Sequence, residues 1–146
     1  MKRPAVTETG SAGEPVTVVA VAASATLEQL RRILGHSRWT LVESNSLAQT
    51  RQLLGAKASV VLICDTKLGD GTWREVLDET LQLAEPPPVI VTAAQADEHL
   101  WMEVLNRGGY NLLGRPFQEQ EVFRVISMAW LHRRERGQNT TRRAAG

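Results

Sequence analysis

The chain has 146 residues, 42% of them hydrophobic and 23% charged, which suits one globular domain with a real core better than two domains or a disordered chain. Seventeen basic side chains stand against 16 acidic ones, for a formal net charge of +1, so no domain-wide field draws the protein to nucleic acid or to an anionic membrane surface. One cysteine, Cys64, excludes an intramolecular disulfide, and no apolar run approaches the ~20 residues needed to span a bilayer.

Residues 1–14 mix Thr, Ser, Gly, Glu and Pro without apolar periodicity and lack the apolar core of a secretory signal, so an N-terminal tail and a cytoplasmic location are expected. The folded part is expected over 15–132. It opens with "VTVVAVA" (16–22), a β-branched and nearly continuous apolar run of the kind found in strands buried on both faces. "TLEQLRRIL" follows and spaces Leu27, Leu30 and Leu34 along one helix face.

The same cycle then repeats along the chain. "WTLVE" precedes "SLAQTRQLL", "SVVLIC" precedes "TWREVLDETLQLA", "PPVIVT" precedes "DEHLWMEVLNR", and "YNLL" precedes "FQEQEVFRVISMAWLHRR". Ser46 with Gln49 and Thr72 with Glu75 fit capping boxes at helix starts, and Asp97 fits a cap for the fourth helix. On the fifth helix Val122, Val125, Ile126 and Ala129 form the expected core stripe, with Phe123, Ser127 and Trp130 beside it. The last residues, 133–146, are polar and Arg-rich and read as a basic tail.

Five strand-helix pairs with strands this apolar predict an α/β fold, an open parallel sheet covered by helices on both sides. In such sheets ligands bind outside the carboxyl ends of the strands. Those ends carry "AVAASAT" after the first strand, Asp65 after the third, Thr92 after the fourth and "GRPF" after the fifth.

The run "DTKLGDG" resembles the phospho-acceptor turn of response-regulator receiver domains of two-component signal transduction. "VIVTAA" resembles that family's fourth strand with its hydroxyl residue, and "LNRGGYNLLGRPF" (105–117) is similar to the segment in which a basic residue precedes a proline after the fifth strand. The resemblance covers residues 16–134. It implies a flavodoxin-like, doubly wound (βα)5 fold with strand order 2-1-3-4-5, Asp65 at the phospho-acceptor position, Thr92 at the phosphoryl-binding hydroxyl, Arg115 in place of the usual lysine, and Pro116 after it.

Three departures from that pattern stand out. The two acidic residues that normally end the first strand and bind magnesium are missing, since residues 20–26 read Ala, Val, Ala, Ala, Ser, Ala, Thr. Arg115 has a planar fork able to hold Asp65 as a two-nitrogen pair. Leu112 stands at the switch position where the family often has an aromatic residue, and alternation in an extended chain predicts Tyr110 on the same face as Leu112. No resident cofactor or metal is therefore expected, although the family uses magnesium.

The reading is an atypical receiver acting mainly as a protein-interaction module, with magnesium-dependent phosphorylation impaired or absent. The alternatives are a working phospho-acceptor charged by a histidine kinase, or a binder of a flavin-type small molecule in the sheet crevice. No nucleophile-base or carboxylate pair converges at the strand ends, so an independent enzyme is not expected. Expected partners are a sensor histidine kinase or another signalling protein, with homodimerisation through the fourth helix, fifth strand and fifth helix. Trp101, Tyr110 and Trp130 are the interface candidates.

Overall fold

A computed structural model describes residues 16–56 and 60–145. The expected N-terminal tail, 1–14, lies outside the described residues. Five strands alternate with five helices: β1 Thr17–Val21, α1 Ser24–Leu34, β2 Thr40–Ser44, α2 Leu47–Ala56, β3 Val60–Asp65, α3 Trp73–Thr80, β4 Val89–Ala93, α4 Glu98–Asn106, β5 Asn111–Gly114 and α5 Glu119–Ala145. The sheet order is β2-β1-β3-β4-β5 and every pairing is parallel, which is the doubly wound, flavodoxin-like topology that the resemblance implies.

Alternation within each strand divides the core between the two faces. Val18 and Ala20 of β1, Val61 and Ile63 of β3, Ile90 of β4 and Leu113 of β5 enter one cluster, closed by Leu27, Leu30 and Leu34 of α1 and by Val122, Val125, Ile126 and Ala129 of α5. Val19 and Val21, Leu62 and Cys64, and Val89 and Val91 enter the other, with Leu47 of α2, Trp73, Val76 and Leu77 of α3, and Val104 of α4. The apolar stripes read on α1 and α5 are thus the buried ones.

Helix starts follow the sequence signals, with one exchange of partners. Asp97 accepts from the Leu100 amide at 2.8 Å, and Glu75 accepts from the Thr72 amide at 3.1 Å within a complete capping box. At α2 the Ser46 hydroxyl accepts from the Gln49 amide as expected, at 3.1 Å, but Gln49 reaches the Asn45 amide at 3.4 Å. The first turn of α2 is further capped by Asp70, whose two oxygens take the Leu47 and Ala48 amides at 2.8 and 3.3 Å. The Leu47 N–H in particular holds the Asp70 carboxyl below its usual range. Asp70 does this from a two-residue antiparallel ribbon, Lys67–Leu68 against Gly71–Thr72, which leads into α3.

Two glycines set the passage from α4 into β5. Gly108 has φ of +99°, a left-handed conformation that side chains other than glycine's rarely adopt. At Gly109 an added Cβ would lie 2.5 Å from Val104 Cγ1, so the chain approaches the helix more closely than any side chain permits.

The last helix departs from expectation. It continues to Ala145, past Arg134, where the helical segment read from the sequence ends. Arg and Glu are good helix formers, so the polar composition that signals exposure after His132 does not itself end a helix.

Candidate functional site at the carboxyl ends of the strands

Asp65 is the last residue of β3 and pairs in register with Thr92 of β4. Parallel pairing of β4 with β5 then brings Gly114 beside Ala93, and the Arg115 amide donates to the Ala93 carbonyl at 2.9 Å. The Arg115–Pro116 peptide bond is cis. On the other side of β3, β1 pairs Val21 with Cys64, so the chain leaving β1 turns into α1 directly over Asp65.

The result is a carboxylate that is 4% exposed and surrounded by donors. Its Oδ1 accepts from the Thr92 hydroxyl at 2.8 Å and is in close contact with Arg115 Nη1. Its Oδ2 accepts from the Ala23 amide at 3.2 Å and from the Thr26 hydroxyl at 3.1 Å. Arg115 Nη1 also lies 3.4 Å from Thr26 Oγ1, so the contact runs through one nitrogen to two acceptors rather than through the two-nitrogen fork expected. A buried carboxylate requires a cation and hydrogen bonds to be tolerated, and this one has both.

Thr26 and the Ala23 amide are the members that reasoning from strand ends did not single out. A signal was present: Thr26 stands four and eight residues before Leu30 and Leu34, on the stripe that α1 buries, and it is itself 3% exposed. A hydroxyl on a core stripe needs a polar partner there, and Asp65 is that partner.

The other sequence candidates are spread around the fold. Pro116 is exposed, beside Arg115. Leu112 is half-buried against the cluster that holds Val104, whereas Tyr110 packs against the opposite cluster, with its ring centroid 5.4 Å from that of His132. The shared face predicted for Leu112 and Tyr110 does not hold, because Tyr110 precedes the strand and strand alternation does not extend to it. Trp101 is 43% exposed on α4, while Trp130 is half-buried against the core, and the large exposed apolar residues of α5 are Met128 and Leu131. Of the four tryptophans, Trp73 is fully in the core, and Trp39 lies against Phe123 with ring centroids 5.5 Å apart.

Cys64 is wholly buried next to Asp65. Burial first, and then the Asp65 charge, push its thiol well above the usual range, so it has no thiolate chemistry to offer.

A magnesium site of the kind found in receivers does not fit these residues. Magnesium is bound through oxygen, generally one or two carboxylates with water. Here Ala22 and Ala23 stand where β1 ends, Asp65 is the carboxylate present, and both its oxygens already accept from this chain. Among the described residues no group of three or more His, Cys, Asp or Glu side chains is placed to hold a metal ion. Also among the described residues, no helix is long and apolar enough to cross a membrane.

No protein-family model matches the sequence, and no curated protein matches it. Solved structures do resemble it. The signal receiver domain of an HD domain-containing protein from Pseudomonas fluorescens superposes with a TM-score of 0.73 at 21% identity, covering 84% of this chain and 99% of that one. A putative response regulator from Chloroflexus aurantiacus gives 0.71 at 23% identity, covering 80% and 98%. The signal receiver domain of a putative Luxo repressor protein from Vibrio parahaemolyticus gives 0.77 at 18% identity, covering 85% and 96%. With its parallel sheet order, its Asp65–Thr92–Arg115 cluster at the strand ends and these neighbours, the chain has the fold of response-regulator receiver domains.

Proposed function

We propose that this chain is an atypical receiver of bacterial two-component signalling. It works mainly as a protein-interaction module, with magnesium-dependent phosphorylation of Asp65 impaired or absent. One observation carries the reading: both oxygens of the acceptor-position carboxylate are occupied by donors of the chain itself, and no second carboxylate stands at the end of β1.

The chemistry explains why this matters. Phosphoryl donors are anionic, and a bound cation ordinarily neutralises the charge that builds during transfer. At this site Arg115 is the cation, and it is spent on Asp65 itself. An incoming donor must displace hydrogen bonds from a 4% exposed carboxylate without a metal to compensate.

The interaction surface in this reading is the face formed by α4, β5 and α5. Trp101, Met102 and Leu105 on α4, and Met128 and Leu131 on α5, are large apolar side chains left exposed. Exposed apolar groups of this size mark contact surfaces, with Trp the strongest anchor. A signalling protein, a sensor histidine kinase or a second copy of the chain would dock there, with residues 15–132 as the receiver unit.

The test is intact-mass analysis after incubation with acetyl phosphate, with and without magnesium, for the wild type and Asp65→Ala. No added phosphoryl mass in any condition is expected. Magnesium-dependent phosphorylation that disappears in Asp65→Ala would replace this reading with that of a working phospho-acceptor, for which the Thr92–Asp65 hydrogen bond of 2.8 Å is the supporting feature.

A further inference from the structure

Asp65 is enclosed from two sides by different kinds of group. Thr92 and Arg115 hold Oδ1, and their positions follow from the sheet itself, through β4 and the end of β5. Oδ2 is held from outside the sheet, at the start of α1: by the amide of Ala23, the residue that precedes the helix, at 3.2 Å and by the Thr26 hydroxyl at 3.1 Å. Thr26 is 3% exposed, its neighbour Leu27 is 6% exposed, and Leu30 and Leu34 anchor the same face of α1 in the core, so this hydroxyl is aimed at the carboxylate by the packing of the whole helix. The Arg115 contact at 3.4 Å orients it further, because an oxygen that accepts from the guanidinium presents its own hydrogen to Asp65.

We infer that Thr26 is a positioning residue that closes Asp65: its hydroxyl occupies the carboxylate oxygen that would otherwise face a cation or a phosphoryl-like group. The inference rests on the reading of the chain as a receiver with impaired phosphorylation and supplies the regulation of that same site. In place of a metal ligand, α1 brings a neutral donor to Oδ2. A hydroxyl donates to a carboxylate, whereas a metal-binding acidic residue would share a cation with it. The same stretch of backbone that could present acidic ligands thus presents a lid of one hydroxyl and one amide. Displacing Thr26 removes the side-chain half of that lid and leaves the Ala23 amide alone on Oδ2.

The probe is beryllofluoride, which adds to a carboxylate oxygen as a phosphoryl mimic and is followed by 19F NMR in the presence of magnesium. Wild type, Thr26→Val, Thr26→Ser and the double variant Thr26→Val with Asp65→Asn are titrated side by side, each checked for native circular dichroism. Thr26→Val keeps the β-branched shape and removes the donor. It should take up beryllofluoride about tenfold more readily than wild type, the worth of one hydrogen bond to a charged group. Thr26→Ser, which restores the hydroxyl, should return to wild-type behaviour, and the double variant should give no bound signal.

A merely structural role for Thr26 would lower stability in Thr26→Val without changing the fluorine spectrum, and that outcome, or a Thr26→Ser variant as open as Thr26→Val, overturns the inference alone. Wild type binding beryllofluoride with magnesium as readily as Thr26→Val overturns both the inference and the functional reading beneath it. Should Thr26→Val not fold, Thr26→Ala is titrated in its place with the same expectations.

Discussion

Two regions at opposite extremes of polarity share this fold. At the ends of β3, β4 and β5, one buried carboxylate is fully supplied with donors, and the site is shut. Across α4 and α5, Trp101, Met102, Leu105, Met128 and Leu131 stand exposed. The contrast teaches where change can enter the molecule. A polar site whose every acceptor is engaged resists a ligand, whereas exposed apolar side chains gain free energy from any surface that covers them.

The largest effect should come from breaking the closed region. Arg115→Met leaves Asp65 buried without its cation and should cost about 3–5 kcal/mol, read as a large fall in the urea midpoint. Addition of Asp65→Asn to that variant should recover much of the loss, and full additivity of the two changes would show that the pair is not coupled.

Next in size is the joint between α4 and β5. Gly109→Ala places a methyl group 2.5 Å from Val104 Cγ1 and should destabilise by about 1–3 kcal/mol through overpacking. A urea midpoint unchanged in Gly109→Ala would mean that α4 shifts freely on the sheet.

Smaller and dependent on pH is the clasp between α3 and α4. Arg74 of α3 meets Glu103 of α4 through two nitrogens at 2.6 and 2.8 Å, Arg107 adds a third contact at 3.1 Å, and the Arg74 guanidinium lies 4.9 Å from the centroid of the Trp73 ring. The hydrogen bond from Arg74, in the main, lowers the Glu103 carboxyl from 4.5 to about 2. Because the folded value is the depressed one, the clasp stabilises the fold at pH above 4.5 and its contribution is lost as pH falls toward about 2. The stability difference between wild type and Glu103→Gln should accordingly shrink across that window, and a difference that stays constant would exclude the clasp as its source.

Least damaging to the fold is Trp101→Ala. The side chain is 43% exposed, so stability should change by no more than about 1 kcal/mol, while self-association or partner binding measured by sedimentation or calorimetry should fall sharply. Equal loss of stability and of binding would make Trp101 part of the core after all.

Much of this was legible in the sequence for definite reasons. Continuous β-branched runs marked strands buried on both faces, and the stripes Leu27–Leu30–Leu34 and Val122–Val125–Ile126–Ala129 marked two helices. Strand ends pointed to the stretches around Asp65, Thr92 and "GRPF", because a parallel sheet gathers such ends on one edge, and the resemblance to receiver domains singled out Asp65, Thr92 and Arg115 among them. What stayed hidden was long-range. Thr26 meets Asp65 across 39 residues, and Asp70 caps a helix that starts 23 residues before it; neither distance is encoded in any local period. Trp130 reads as an anchor by residue type, yet its azimuth on α5 puts it against the core, and Trp101 is the tryptophan left outside.

The lone cysteine gives the molecule a clock of its own. Cys64 has no exposure and sits one residue from Asp65, in the strand at the middle of the sheet. Its side chain belongs to the cluster under α2, α3 and α4, so a thiol reagent can reach it only when that core opens, and the rate of labelling counts those openings without any introduced probe. Any change that loosens the packing of α2, α3 or α4 on the sheet should quicken that clock before it alters the spectrum of the folded protein.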